Sequence, residues 1–207
     1  MRVHVAGCSV ADGIERNAIT YGRTWHLDTP EDQSDLAWII IHVLKPKMIH
    51  LGTPCTKQCQ IGPRTIDTAT KAMNDLTKAI CQYQSAIGLY FSVETPKGAL
   101  IFTQPDWVEF FGPVPSRSGH WKHHELDGCQ LGSTYPGDDD RGAPHRKSQI
   151  WLANFGLSGM ELRCRRPSAL AGSSHDHKRI RGRMLVSGKS FAVAEHSGKY
   201  SAEPGSV

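Results

Sequence analysis

Two spacings of apolar residues alternate along the first ninety positions, one of period two and one near 3.6. "VHVAG" at 3–7 reads as a strand entering a glycine turn, and "ADGIERNAITYG" at 11–22 as a helix closed by Gly22. "TWHLD" at 24–28 is a second strand ending in an acid. "PEDQSDLAWIIIHVL" starts with Pro30 and acids in its first turn, then spaces Leu36, Ile39, Ile40 and Val43 along one helical face. "MIHLG" at 48–52 is a third strand, the stretch 65–87 carries helical spacing over several turns, and "LYFSVE" at 89–94 is a further strand.

Strands alternating with helices predict an α/β fold with a doubly wound, mostly parallel sheet. Past residue 100 the pattern weakens. The stretch 103–145 is loop-rich, with five prolines and many glycines. "HHELDGCQLG" and "SQIWLANF" at 148–155 read as strands, 156–183 as irregular and basic, and "KSFAVAEHSGKY" at 189–200 as a helix that packs back on the domain. The pattern divides the chain into a main domain at 1–155, a basic segment at 156–187, and a C-terminal helix and tail at 188–207.

A chain of 207 residues has room for one domain and can bury about 70% of its unfolded surface, so it needs no disulfides. The six cysteines have no framework spacing, and the N-terminus lacks a secretory pattern. The longest apolar run, "LAWIIIHVL" at 36–44, falls well short of the ~20 residues needed to cross a bilayer. We expect a soluble intracellular protein, cytoplasmic or nuclear, with reduced thiols and no membrane partner. The net charge of +4 is modest, but "LRCRRP" at 162–167 and "HDHKRIRGR" at 175–183 concentrate positive residues. Such clustering suits a polyanion such as nucleic acid, with a solvated basic surface as the alternative.

In doubly wound sheets ligands collect beyond the carboxyl ends of the strands. The turn after the first strand, Asp28, Cys55 and Glu94 all fall at that predicted edge. Cys55, in "GTPCTKQCQIG", lies in a turn past a strand, where backbone donors and a following helix terminus favour the nucleophilic thiolate. A small buried residue is the alternative. Glu94 ends the next strand, and a carboxyl group at the apolar mouth of a sheet can serve as a proton donor. Cys59 is read as structural, because a Cys-x3-Cys pair without nearby partners makes a poor metal site.

Five stretches in order, "VAGCSVADGIE", "GTPCTKQCQIG", "FSVETPKGAL", "GAPHRKSQIWLAN" and "SGKSFAVA", resemble the signatures of the carbon-5 cytosine methyltransferases that use S-adenosylmethionine. The resemblance covers most of the chain. It implies a Rossmann-like methyltransferase fold in which Cys55 attacks carbon 6 of a flipped cytosine and Glu94 holds and protonates the adjacent ring nitrogen. It further implies that Arg146 or Lys147 holds the target nucleotide. Ala6, Gly7, Ser9 and Gly52 would lie against the cofactor, Asp28 would accept from its ribose hydroxyls, and Ser190 would close over it.

The sequence also departs from the family pattern. The glycine turn is one residue short and has Ser9 for a glycine, Thr56 follows the cysteine, and Gln149 stands where a second arginine is expected. Only about 35 residues lie between "QIWLA" and "SGKS", too few for the usual recognition domain, so sequence selectivity on duplex DNA is expected to be poor or to be supplied by a partner chain. These departures keep two alternatives open: a catalytically retired nucleic-acid-binding module of the same fold, and a methyltransferase acting on RNA. Within the basic segment Cys164, His175 and His177, with Cys129 or His124 as fourth member, offer sulfur and nitrogen ligands suited to tetrahedral zinc. The alternative is a solvated basic loop.

Overall fold

Alternation along "MIHLG" and "YFSVETP" sends Ile49, Leu51, Phe91 and Val93 to one side and His50, Ser92 and Glu94 to the other, and the two segments pair on that basis. The computed structural model describes residues 11, 13–14, 19–54, 57–58, 65–113, 122–127, 134–135, 143–144, 148–157, 164, 183–186 and 189–192. The described elements run in chain order: β1 (Ile19–Thr20), β2 (Arg23–Thr24), α1 (Pro30–Trp38), a π-helical turn (Ile39–Leu44), β3 (Met48–Gly52), α2 (Thr68–Ala86), β4 (Tyr90–Pro96), a 3-10 turn (Leu100–Thr103), α3 (Pro105–Phe111), β5 (Lys122–Asp127), β6 (Thr134–Tyr135), β7 (Ala143–Pro144), β8 (Ser148–Ala153), β9 (Arg183–Val186) and β10 (Lys189–Ala192).

The main sheet has the order β3-β4-β8-β5. β3 and β4 are parallel, joined through α2, while β8 pairs antiparallel with both β4 and β5. The fold is therefore α/β, as expected, but its described sheet is mixed where a mostly parallel one was predicted. Three of the four strands still run the same way, because β8 is inserted in reverse between β4 and β5. Apolar periodicity reports which face a strand buries and carries no information on its direction, which is why the reversal was not legible.

One face of this sheet holds the core. Phe91, Val93, Ile150 and Leu152 pack with Cys81 of α2, Ile101 and Phe102 of the 3-10 turn, and Trp107 and Phe111 of α3. A second cluster joins Trp25, Leu36, Ile40 and Ile80 to Ile49 and Leu51 of β3. Leu51 touches both, so the two clusters form one layer beneath the sheet. Asp67 caps α2 by accepting from the Thr70 N–H at 2.9 Å. At the other end of α2, the buried Gln84 amide donates to the carbonyls of Pro46 (3.1 Å) and Tyr90 (3.3 Å), fixing the helix to the amino ends of β3 and β4.

Two further expectations are corrected. The end of the predicted helix 11–22 is instead part of the hairpin β1-β2, a two-stranded unit separate from the main sheet, and of the predicted strand 24–28 only Thr24 belongs to that hairpin, with His26–Asp28 leading into α1. Tyr21 (φ 53°) and Gly22 (φ 79°) make its turn, and positive φ at both central residues closes a tight hairpin and ends a helix. The hairpin is tied to α1 through Arg23, which lies over the Trp25 ring at 4.3 Å and forms ion pairs with Asp32 and Asp35. Near the C-terminus, residues 189–192 are the strand β10, paired antiparallel with β9, where a helix over 189–200 was predicted. Only Ser187 and Gly188 separate the two strands in sequence, a hairpin spacing that crosses the expected boundary at 187–188.

Candidate active site

The carboxyl ends of β3 and β4 lie side by side, with Gly52 in register with Glu94. Glu94 is buried, at 7% exposure, on the sheet face opposite the core. A carboxyl group in such a place needs donors. One is the buried side-chain amide of Gln149 on β8, which donates to Glu94 Oε1. The other carboxylate oxygen, Oε2, faces His50 Nε2 at 4.0 Å.

His50 arrives there because it precedes Gly52 by two residues on β3 and so shares its face. Its ring stacks on Trp151 of β8 with centroids 4.6 Å apart and planes at 27°. Its Nδ1 is 2.9 Å from the hydroxyl of Ser92, its register partner on β4. The ring is open to solvent on one side, with the side chain 43% exposed, and covered on the other. Burial pulls the imidazole below its usual 6.5, with the nearby Glu94 carboxylate opposing that shift. Ser92, His50, Glu94 and Gln149 thus form a polar line across three strands, with Trp151 as its apolar wall.

Beyond Gly52 the chain continues through Thr53, which is buried, and Pro54, which is exposed. Cys55 and Thr56 lie outside the described residues, but the chain on either side of them is well anchored. Gln58 is fully buried, donates through its amide to the Pro54 carbonyl, and exchanges hydrogen bonds with the buried Asn74 of α2 at 3.2 and 3.3 Å. Its own carbonyl accepts from the Leu100 N–H at 2.9 Å. Lys57 pairs with Asp67, the α2 cap, and hydrogen bonding from Lys57 holds the Asp67 carboxyl well below the usual carboxylate range. Lys57 and Gln58 are therefore fastened to α2, and Gln58 also to the turn after β4.

The same edge continues to β8 and β5. Lys97, just past β4, donates its N–H to the Ser148 carbonyl at 2.9 Å and pairs with Glu125 at 2.8 Å. Asp127 ends β5, is buried, and accepts from the Ser148 hydroxyl and from the Cys164 N–H at 2.8 Å. By contrast Cys81 sits deep in the core, where burial pushes its thiol far up and keeps it un-ionised.

Of the sequence-predicted residues, Glu94 and Gly52 are brought together at one sheet edge. Gly52 is exposed, and nothing among the described residues lies within 4 Å of where a Cβ would stand. Asp28 is half-buried in the turn that enters α1, not on a strand of the main sheet, and its carboxylate is a suitable acceptor for hydroxyl groups. Ser190 lies on β10 opposite Leu185 rather than at the start of a helix. Ala6, Gly7, Ser9, Cys55, Arg146 and Lys147 lie outside the described residues, as do Cys129, His175 and His177 of the zinc set. Cys164 is described, with its backbone bound to Asp127, and His124 accepts from the Leu157 N–H at 3.4 Å. Among the described residues no three histidine, cysteine or acidic side chains gather as a metal site.

Sequence reasoning passed over His50, Gln58 and Asn74, and treated Gln149 only as a departure from a motif. A signal for His50 existed. Polar residues at one parity in both "IHLG" and "FSVE" mark a common face, and that face is the site. No helix among the described residues is long and apolar enough to cross a membrane. Comparison with family models, with curated proteins and with solved structures finds no match to this chain.

Proposed function

We propose that the protein transfers a methyl group from S-adenosylmethionine to carbon 5 of cytosine in DNA, on a doubly wound methyltransferase-type fold. The observation that carries this reading is the register between Gly52 and Glu94. It sets the carboxylate beside the strand end from which Cys55 follows three residues later. A nucleophile and an acid emerging at one level from neighbouring parallel strands can bracket one planar base.

In this reading the Cys55 thiolate bonds to carbon 6 of a base turned out of its stack. Glu94, braced by Gln149, donates its proton to the ring nitrogen, so the electron pair displaced by sulfur collects at carbon 5. When bound, S-adenosylmethionine supplies the electrophilic methyl that this carbon takes. Loss of the carbon-5 proton to water and departure of the sulfur, with the ring-nitrogen proton returned to Glu94, then restore the aromatic ring and return the thiolate. Gly52 and Asp28 are the described residues suited to hold the cofactor. Arg146 or Lys147 would hold the target nucleotide, and sequence selectivity on duplex DNA would be poor or supplied by a partner chain. Zinc on Cys164, His175, His177 and Cys129 remains a separate proposal for the basic segment, to be read by elemental analysis of purified protein.

The test is incorporation of labelled methyl into cytosine-containing duplex and single-stranded DNA by the purified full chain. Transfer is expected in wild type and is expected to vanish in Cys55→Ser, with the far-ultraviolet circular dichroism unchanged. Transfer retained by Cys55→Ser sinks the mechanism. A second reading, a retired enzyme that binds nucleic acid, is favoured by the shortened glycine turn with Ser9. It predicts salt-sensitive DNA binding that is indifferent to cofactor, with no cofactor binding at millimolar concentration.

A further inference from the structure

Two ring pairs stand close together on the sheet face that carries the site. Tyr90, at the start of β4, meets Phe155 edge-on with centroids 5.5 Å apart and planes at 68°, yet remains 52% exposed. His50 stacks on Trp151 at 4.6 Å with its side chain 43% exposed. Register places both on one face and one row apart. Tyr90 stands opposite Met48, and His50, two residues further along β3, stands opposite Ser92. Each exposed ring is therefore held by a second ring and presents surface to solvent already oriented, so a ligand that covers it has little left to order.

The exposed charge on this face has one sign. Register carries the row of His50 across Ser92 and Ala153 to Lys122 of β5, which is exposed. Lys47, also exposed, directly precedes β3, and its carbonyl accepts from the Tyr90 N–H at 3.0 Å. Neither lysine takes part in an ion pair among the described residues. Among the described strand residues of this face Glu94 is the one carboxylate, and it is buried.

From this arrangement we infer that the face is a binding platform for single-stranded nucleic acid, with bases stacked on Tyr90 and His50 and phosphates against Lys122 and Lys47. Stacking asks for bases whose faces are free, which a single strand offers and a duplex does not. Lysines beside open rings match a polyanion that carries flat bases, whereas an acidic peptide would satisfy the charge and leave the rings uncovered. The platform leads into the candidate site, because Glu94 is the next residue of that face after Ser92 on β4. The inference uses the sheet face alone and stands whether or not the protein transfers methyl groups.

The experiment measures the fluorescence anisotropy of labelled oligothymidine, oligouridine and a duplex of equal length with the full chain over a range of salt concentrations. Both single strands are expected to bind more tightly than the duplex, and the tighter of the two identifies DNA or RNA as the source. Tyr90→Ala is expected to weaken single-strand binding by at least about fivefold at an unchanged salt slope, and Tyr90→Phe, which keeps a ring, to preserve it. Lys122→Ala is expected to lower the salt slope by about one. Ultraviolet cross-linking of oligouridine to the wild type, mapped by peptide mass, reads the same contact without any variant. Cross-links confined to the basic segment at 156–187 overturn the inference. So do a duplex bound as tightly as the single strands, an absence of single-strand binding, or an affinity unchanged in Tyr90→Ala. Single-strand binding that Tyr90→Ala weakens, in a protein that transfers no methyl, supports the platform and removes the methyltransferase reading. Methyl transfer by a protein whose single-strand affinity survives Tyr90→Ala overturns the platform alone.

Discussion

Single side chains at the carboxyl edge of the sheet are set by what their strand partners can offer. Glu94 tolerates burial because Gln149 donates to it, and His50 is poised by the opposed effects of burial and of Glu94. The histidine makes a pH prediction with a definite sign. The unfolded chain takes up a proton at His50 near pH 6.5, whereas the folded chain does so only at lower pH, so the unfolded state binds more protons in the window between. The stability contribution is therefore complete above about pH 6.5 and is lost as the pH falls through that window. Urea midpoints measured from pH 7.5 down to pH 5 should decline, and His50→Gln should flatten part of that decline. An identical slope in the variant would show that other histidines account for it. How much of this was legible in the sequence differs by residue. Glu94 was, because it closes an apolar strand; the Gln149 partner was not, because it comes from a strand 55 positions further along.

At the scale of elements, α2 does two jobs at once. One side buries Cys81 and Ile80 against the sheet, and the first half of the helix with its cap holds Lys57 and Gln58 through Asp67–Lys57 and Asn74–Gln58. A buried polar pair of this kind is worth more as a positioning device than as a source of stability. Asn74→Leu leaves the Gln58 amide without its partner on α2 and should cost about 1–3 kcal/mol in urea unfolding. The same change should alter the rate at which iodoacetamide labels Cys55 in the native protein, read by peptide mass mapping. Labelling at the wild-type rate would mean that the loop is held without α2. The helix itself, β3, β4 and β8 were all legible within a few residues, since long periodic segments announce themselves. The β1-β2 and β9-β10 hairpins were not, because two- to four-residue strands carry too few positions for a period to register.

Across the whole molecule the sheet divides two kinds of chemistry. Its core face is continuous from Trp25 to Leu152, and its opposite face carries the polar line from Ser92 to Gln149. Phe91 sits at the centre of the core face at 0% exposure, edge-on to Phe111 at 6.1 Å. Phe91→Ala should cost about 3–5 kcal/mol, through lost burial and the cavity left behind. Because Ser92 and the residues beyond it share that strand, the same variant should weaken the site while retaining secondary structure. Thermal unfolding with circular dichroism checks the first effect and His50 NMR shifts check the second. A loss below about 1 kcal/mol would mean that the core collapses around the gap.

The sequence alone determined which segments become the central strands and the long helix, which side of each strand is apolar, and which chemically useful residues end those strands. These are local properties, written in spacing and in the residues at element ends. Tertiary structure decided the rest. The direction of β8 and its place between β4 and β5 depend on which edge of the growing sheet is free, which no local window records. The joining of Gln149 to Glu94, of His50 to Ser92 and Trp151, and of Gln58 to Asn74 depends on register between distant segments. Shifting a strand by one residue would turn His50 and Glu94 into the core and expose Leu51 and Val93. The apolar face fixes that register, and the site on the other face follows from it.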